Sequence, residues 1–431
     1  MVKIIVKLLW STVHARQDDH LFQSTFHAHQ DDQYSSRQCF SGLKGEDRGI
    51  FLIRHLAICA KCIEDGDFKN AGIALKDIAC VSSLDGDTMQ RLATFFEMAF
   101  SYRLIKQIRH VPGVFNCLKF PWSTSERQYA RKLFFDFLPF LKFSYLITNQ
   151  AILEAMGEEP VFHIIDLSAS NAAQWVYLLQ TLKEQHQGSR LPLVKITMIH
   201  ENKDILEKMG FELIQKAQKM NFPFELYAIV GQLENICFET LPHLKPGEPI
   251  AISSVLILHS LLAVDDQVSP DSDVLLKMRQ FLIQLWKLHP RLMVITEQES
   301  DNNGPSLTDT LDKALNFYAA LFDCLEANVP KEREIERIMV ERMILGEEIK
   351  NMVACDGVDR KERHGKFLKT WRPSLQLAEF RRVSMNYERM LQVTTPLMQN
   401  YGPGYKLIEN NQCLFTCWND LPLYSISAWR Y

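Results

Sequence analysis

Hydrophobic spacing divides this 431-residue chain into segments of different character. Residues 11–46 carry no helical or strand periodicity, so a disordered lead-in is expected over residues 1–46. From about residue 49 to 157 the period is helical. Leu52, Leu56, Cys59, Ala60 and Ile63 fall on one stripe, followed by the turn Glu64-Asp-Gly-Asp67. Asp67 is placed to cap a second helix bearing Phe68, Ala71, Leu75 and Ile78. Asp87 is placed to cap a third with Leu92, Phe95, Phe96 and Ala99. Helices joined by such short turns pack antiparallel. Apolar surface left uncovered suits a partner helix, which makes Leu52, Leu56, Ile63 and Leu75 candidates for a partner interface. The competing reading is that the stripe is the module's own core.

At Phe162 the pattern changes. Short apolar runs at 162–167, 194–199, 224–230, 250–258 and 292–296 read as buried strands, with helical segments at 174–184, 205–220 and 273–288 between them. That alternation predicts an α/β fold with a doubly wound, mostly parallel sheet behind an N-terminal helical cap. A helical stretch follows at 306–351, then strand-like runs at 381–385, 414–418 and 423–429. Asn419-Asp-Leu-Pro422 is expected to turn an antiparallel hairpin between the last two. A parallel sheet closing on an antiparallel hairpin is the layout of class I S-adenosylmethionine methyltransferases, an analogy of fold and not of function.

Composition adds mainly exclusions. The net charge is −4, so no global positive field draws the chain to nucleic acid or an anionic membrane. No run reaches the ~18 apolar residues of a membrane span. The longest, 250–264, is broken by Ser253, Ser254, His259 and Ser260. Lys7 and the polar, His-rich sequence after Trp10 make the N-terminus a poor signal peptide, and a soluble protein is expected. Ten cysteines are thinly spread. Cys59-x2-Cys62 lies in a helical pattern and Cys413-x3-Cys417 in a strand pattern, so reduced, buried thiols are expected rather than a zinc site. His14, His20, His27 and His29 read as part of a solvated tail.

In folds of this class the first strand ends at a glycine-rich loop that lets backbone approach a nucleotide. Here Asp166 is followed by Leu-Ser-Ala-Ser-Asn-Ala-Ala-Gln174, without glycine. Side chains at Ala169, Ser170 and Asn171 are expected to crowd the place of a cofactor. Glu201, after the second strand, stands where a ribose-binding acid would sit. No nucleophile–base pair and no metal-ligand spacing is evident, and His163 reads as a satisfied core histidine. No catalytic residue, cofactor or metal is expected. The alternative is an S-adenosylmethionine-dependent methyltransferase.

Several motifs occur together in a fixed order. Phe162-His163-Ile164-Ile165-Asp166 resembles the VHIID motif of the GRAS family, with Phe for Val at its first position. Pro139-Phe-Leu-Lys-Phe-Ser144 and Asn149-Gln-Ala-Ile-Leu153 resemble the approach to it. Phe317-Tyr318 resembles the family's FY element and Ser427-Ala428-Trp429 its SAW motif. The resemblance covers residues 47–431. It divides them into a first leucine-rich region at 49–110, the VHIID region at 128–193 and a second leucine-rich region at 203–236. A PFYRE-like region at 245–354 and the SAW region at 357–431 complete it. Two departures, the glycine-free loop and Glu347-Glu348 in place of an Arg-Glu pair, are similar to the Scarecrow-like protein 3 group, as is Asp85-Gly-Asp-Thr-Met-Gln-Arg91. The resemblance implies a plant nuclear transcription regulator, not an enzyme, with a helical cap on a methyltransferase-like core. It also implies pairing with other GRAS proteins as homo- or heterodimers, action through zinc-finger DNA-binding factors, indirect DNA contact, and roles in gibberellin responses or root patterning.

Three further surfaces carry expectations. Leu258-His-Ser-Leu261-Leu262 fits LxxLL, a turn that docks in coregulator grooves, although it follows a buried strand. Arg360, Lys361, Arg363, Lys366, Lys369 and Arg372 form the clearest basic cluster, with Trp371 beside it to stack on a base. Direct sequence-specific DNA binding through this cluster is the alternative to a solvated helix face. Alternating charges over 331–348, with Arg337 and Glu341 four apart, predict an exposed, internally paired helix.

Overall fold

Caps written into the sequence start several of the first helices. A computed structural model describes residues 44–109, 122–169, 171–241, 243–245, 247–262, 273–302, 304 and 306–431. The His-rich lead-in, Ser170 and the tail of the 250–264 run lie outside these residues. Helix α1 spans Gly45–Glu64, so residues 45 and 46 of the expected lead-in are helical. The Asp67 carboxylate accepts from Asn70 N to start α2, Phe68–Val81. Asp87 accepts from Met89 N and Gln90 N at the head of α3, Thr88–Arg109. A reciprocal Ser123–Glu126 capping box opens α4, Thr124–Phe137. Helix α5, Phe140–Met156, stops at Gly157, whose φ of 55° is cheap only without a Cβ.

Strands and helices then alternate. They are β1 Val161–Asp166, α6 Ala173–Gln185, β2 Leu193–His200, α7 Lys203–Lys219, β3 Phe224–Val230, β4 Ile250–Val255, α8 Asp273–Lys287 and β5 Leu292–Gln298. The chain continues through α9 Leu307–Asn328, α10 Glu334–Val340, α11 Gly346–Ala354, α12 Arg372–Leu377, β6 Arg381–Val383 and α13 Tyr387–Tyr401. It closes with β7 Tyr405–Asn410, β8 Cys413–Trp418 and β9 Leu421–Arg430. Among the described residues no helix is long and apolar enough to cross a membrane.

Packing groups these elements into two units, one ending at Leu138 and taking in Ser300–Glu362, the other Pro139–Glu299 with Arg363–Tyr431. The helical module is therefore not N-terminal alone, because α9, α10 and α11 belong to it. Leu52, Leu56, Ile78, Phe96 and Phe322 are fully buried in this unit. The Phe95 ring lies 5.8 Å from that of Phe322 and so close to Gly346 that a Cβ there would come within 2.6 Å.

The same unit encloses charge. Arg91 on α3 is 3% exposed and Glu341, in a π-helical turn over Glu341–Leu345, is 1% exposed. Arg91 Nε donates to both Glu341 oxygens at 3.2 and 3.1 Å, its Nη2 to Glu326 at 2.7 Å, and its Nη1 to Gly86 O at 2.8 Å. Arg337 Nη1 donates to Glu341 Oε1 at 2.7 Å. Alternating charges over 331–348 predicted an exposed helix. Arg337 and Glu341 are instead buried, because Arg91 arrives from α3 to share the carboxylate. Burial pushes the Glu341 carboxyl up, opposed by the two guanidinium groups.

In the second unit the sheet order is β3-β2-β1-β4-β5-β9-β8-β7, the first five strands parallel and the last three antiparallel. β6 pairs with the end of β9 at Val383↔Ala428. One face packs Ile147 of α5, Trp175 and Leu178 of α6 and Leu206 and Leu213 of α7; the other packs Phe281, Leu282 and Leu285 of α8. Helices thus cover both faces, as the alternation predicts. β4 stops earlier than its apolar run because Leu256 turns at φ 52°. Glu297 Oε1 then accepts from Ile257 N and Leu258 N, opening a 3-10 turn over Leu258–Leu262.

The C-terminal end holds a three-stranded meander rather than one hairpin. The Asn419-Asp420 turn has φ 47° and 71°, the twist that suits a tight hairpin, so Leu421 and Pro422 join β9. β7 and α13 have no counterpart in the expected elements. Exposed Lys406, Ile408 and Glu409 blur the alternation of β7, and Pro396 interrupts the helical pattern of α13.

The buried ion cluster yields a prediction. Arg91→Met leaves Glu341 enclosed with Arg337 alone and is expected to destabilise the chain by about 3–5 kcal/mol. Urea denaturation checks this; a loss below about 1 kcal/mol, the scale of an exposed pair, would contradict it.

Candidate functional site

The carboxyl end of β1 is where ligands bind in open parallel sheets. Here β1 lies between β2 and β4, with Asp166 opposite Met198 and Ser253. The Asp166 side chain is buried and fully engaged. Its Oδ1 accepts from Ser168 N, Ser168 Oγ and Ala169 N, each at 3.0 Å, and its Oδ2 accepts from Trp175 Nε1 at 2.7 Å. Burial pushes the carboxyl up, while the bonds from Trp175, Ala169 and Ser168 favour its charged form. Ala169 is fully buried at φ 23°, and the Trp175 indole is fully buried beside it. Gln174 Nε2 donates to Ser253 Oγ at 3.3 Å, and Asn149 Nδ2 donates to Gln174 O at 2.8 Å. Glu201 is exposed beyond β2. The Asp166 carboxylate at the strand end is thus bonded by its own loop and helix. Asn171, expected to crowd the place, instead accepts from Ala173 N through Oδ1 at 2.9 Å.

A second polar cluster sits on the sheet. His163 Nε2 shares a hydrogen bond with Thr197 Oγ1 at 2.7 Å, and Thr197 Oγ1 another with His243 Nε2 at 2.8 Å. The His243 ring stacks on Tyr227 with centroids 4.2 Å apart, and the Tyr227 hydroxyl donates to Glu225 Oε2 at 2.7 Å. Buried Lys195 reaches Glu248 at 2.8 Å and Glu225 at 3.9 Å. Burial, then the charges of His243 and Lys195, push His163 down to about 3, and burial pushes His243 down as well. His163 is a core histidine, but only half satisfied: its Nδ1 has no hydrogen-bond partner among the described residues.

The motif residues hold the frame together. Phe162 and Ile164 pack on one face of the sheet and Ile165 on the other. Ser427, Ala428 and Trp429 lie in β9 opposite Ile295, Val294 and Met293 of β5, with Trp429 Nε1 donating to Ser427 Oγ at 2.9 Å. In the helical unit the Tyr318 hydroxyl donates to Glu348 Oε2 at 3.3 Å, joining the FY element to the Glu347-Glu348 pair.

The family model described as the GRAS domain family matches residues 52–430. The chain belongs to the GRAS family. It is 44% identical to GRAS family protein TF80 of Medicago truncatula, covering 86% of this chain and 93% of that protein. It is 39% identical to Scarecrow-like protein 3 of Arabidopsis thaliana over 91% of each. DELLA protein RGL1 of Arabidopsis thaliana is 30% identical over 97% of this chain and 77% of its own length. The crystal structure of SCL7 in Oryza sativa superimposes with a TM-score of 0.73 at 25% identity, covering 88% of this chain and 99% of that one.

Within this GRAS fold several of the candidate contact residues are buried. Leu52, Leu56 and Ile63 are at most 2% exposed and Leu75 is 7% exposed, all spent on their own unit's core. A charge at Leu56 would disrupt that core rather than test a partner. Leu258, Leu261 and Leu262 of the LxxLL motif are buried against the sheet with α8, leaving no leucine to dock. The basic cluster is not one helix face. Arg360–Lys366 is irregular, Phe367–Trp371 is a π-helical turn, and Arg372 begins α12. Lys361, Lys366 and Lys369 are exposed, Arg360, Arg363 and Arg372 half-buried, and Arg360 Nη2 donates to Asn302 O at 2.6 Å. Trp371 is 2% exposed in the core beneath, so it presents no ring to a base. Cys59, Cys62, Cys413 and Cys417 are buried, and burial pushes their thiols up, Cys417 to about 12.

His163 gives a pH dependence with a definite sign. The unfolded chain takes up this proton near 6.5 and the folded chain only near 3, so the unfolded state binds more protons between those values. Stability contributed by neutral His163 is complete above about 6.5 and is lost as pH falls towards 3. His163→Gln lacks this slope, so the urea midpoints of the two proteins should converge on acidification. Midpoints that stay parallel from pH 7 to pH 4 would exclude His163 as the cause.

Proposed function

We propose that this GRAS protein is a plant nuclear transcription regulator that acts as a docking scaffold and not as an enzyme, in gibberellin-linked or root developmental signalling. In this reading residues 47–431 form one GRAS domain, carrying the regions given above at 49–110, 128–193, 203–236, 245–354 and 357–431. Its partners are other GRAS proteins, as homo- or heterodimers, and zinc-finger DNA-binding factors, with DNA contacted through them. The DELLA and Scarecrow-like relatives support the regulatory reading.

One observation carries the scaffold reading: the end of β1 is occupied by the protein itself. The strand order 3-2-1-4-5 followed by antiparallel strands supports a methyltransferase-like core. A methyl donor bound there needs backbone approach and a carboxylate with free lone pairs. Asp166 has given both oxygens to Ser168, Ala169 and Trp175, whose indole is fully buried. Against direct DNA reading stands the burial of Trp371, which removes the aromatic partner from the basic segment.

Two measurements test this. Titration calorimetry with S-adenosylmethionine should give no heat at micromolar concentrations, and clear micromolar binding would overturn the scaffold reading. A reporter driven by a zinc-finger partner's element should respond to this chain only while the zinc finger is present. A response that persists without it, together with a shift of the same DNA by the purified chain, would make the contact direct.

A further inference from the structure

Among the described residues the main strand path of the sheet ends in β3 and β7, and the two are treated differently. Edge strands expose unpaired amides that recruit other strands, and proteins commonly blunt them with charge or proline. β7, at one end, carries Lys406, Glu409 and Asn410. β3, at the other, reads Phe-Glu-Leu-Tyr-Ala-Ile-Val, and among the described residues no strand pairs with its outer side. Its single charge, Glu225, is engaged by Tyr227 and Lys195.

The register fixes which groups point outward. Pro223 O accepts from Val194 N and Gly231 N donates to His200 O, so the odd-numbered residues of this stretch face β2. Alternation turns the N–H and C=O groups of Phe224, Leu226, Ala228 and Val230 to the open edge. The side chains of these four share the α7 face, because a Cβ on Gly210 would come 3.1 Å from Leu226. Tyr227 points to the opposite face, where it stacks on His243.

The neighbouring surface is apolar. Phe211 and Ile214 of α7 are 66% and 41% exposed, and Val230 is 53% exposed. The buried stripe of α7 runs through Leu206, Met209, Gly210, Leu213 and Ala217. A right-handed crossover from β2 to β3 turns the flank bearing Phe211 and Ile214 to the β3 side of the helix.

We propose that β3 is a self-pairing edge: a second copy of this chain adds its own β3 antiparallel, about a twofold axis through Tyr227. This deepens the pairing part of the function proposed above and rests on it. The occupant follows from self-complementarity. An axis at Tyr227 sets Leu226 opposite Ala228 and Phe224 opposite Val230, which are the outward-facing residues, so each pair exchanges both of its hydrogen bonds. Glu225 then lies opposite Ile229, so no like charges meet. The two α7 helices come side by side on one face, where Phe211 and Ile214 of each copy cover those of the other. A twofold contact requires one patch to complement itself, and this one does.

Sedimentation equilibrium of the full chain tests the proposal. Ala228→Pro removes an outward N–H and no bond to β2, which an edge strand tolerates. Phe211→Lys with Ile214→Lys changes only exposed positions. The wild type should dimerise at micromolar concentration. Both variants should dissociate at least about tenfold more readily, with unchanged far-ultraviolet circular dichroism, while Ile408→Lys on the opposite edge has no effect. A monomeric wild type, or a dimer whose Kd stays within about twofold in the α7 double variant, overturns the proposal. Should Ala228→Pro misfold, the double variant decides alone. This measurement uses neither reporter nor methyl donor, so its failure and that of the scaffold reading are distinguishable.

Discussion

A carboxylate buried at the carboxyl end of a central strand must be given hydrogen-bond donors, and Asp166 draws its four from the residues just after it. That requirement shapes the neighbourhood. Residues 167–169 wind around the carboxylate, Ala169 accepts a strained φ of 23°, and α6 is rotated so that Trp175 aims its indole N–H at the remaining oxygen. An unpaired buried charge costs several kcal/mol, so the loop has little freedom to open. The same bonds commit both Asp166 oxygens to donors of the protein itself.

The helical unit solves a related problem with ions. Glu341 is enclosed with two guanidinium groups, one from its own helix and one from α3, and Arg91 also ties Gly86 O and Glu326 into the arrangement. The chain enters this unit before Leu138 and returns to it at Ser300, and the ion cluster joins the two passages. Gly346 beneath the Phe95 ring permits the close approach that lets the π-helical turn sit against α3. A buried ion pair adds little net stability over a well-packed apolar one, but removing one partner leaves the other charge buried and uncompensated.

Motifs that mark the family in sequence are structural here. The residues of Phe162–Asp166 build the central strand, Ser427–Trp429 the antiparallel strand beside β5, and Phe317-Tyr318 the core of α9. At α7 and β3 the sheet ends in an edge strand that carries a single charge, Glu225.

Local physics alone determined much of this protein. The caps at Asp67 and Asp87, the apolar runs of β1 to β5 and the Asn419-Asp420 turn are decided by groups within a few residues of one another, so each was legible in the sequence. The GRAS motifs and the loss of glycine after Asp166 were equally plain. Tertiary structure decided whatever depends on a distant partner. The stripe at Leu56 and the leucines of Leu258–Leu262 look the same in sequence whether they are covered or free, and only packing shows them covered. Arg337 and Glu341 read as a surface pair because Arg91 lies 250 residues away from Glu341 along the chain. Nothing in Phe224–Val230 marks it as an edge, since being an edge is a property of strand order, which sequence does not encode locally.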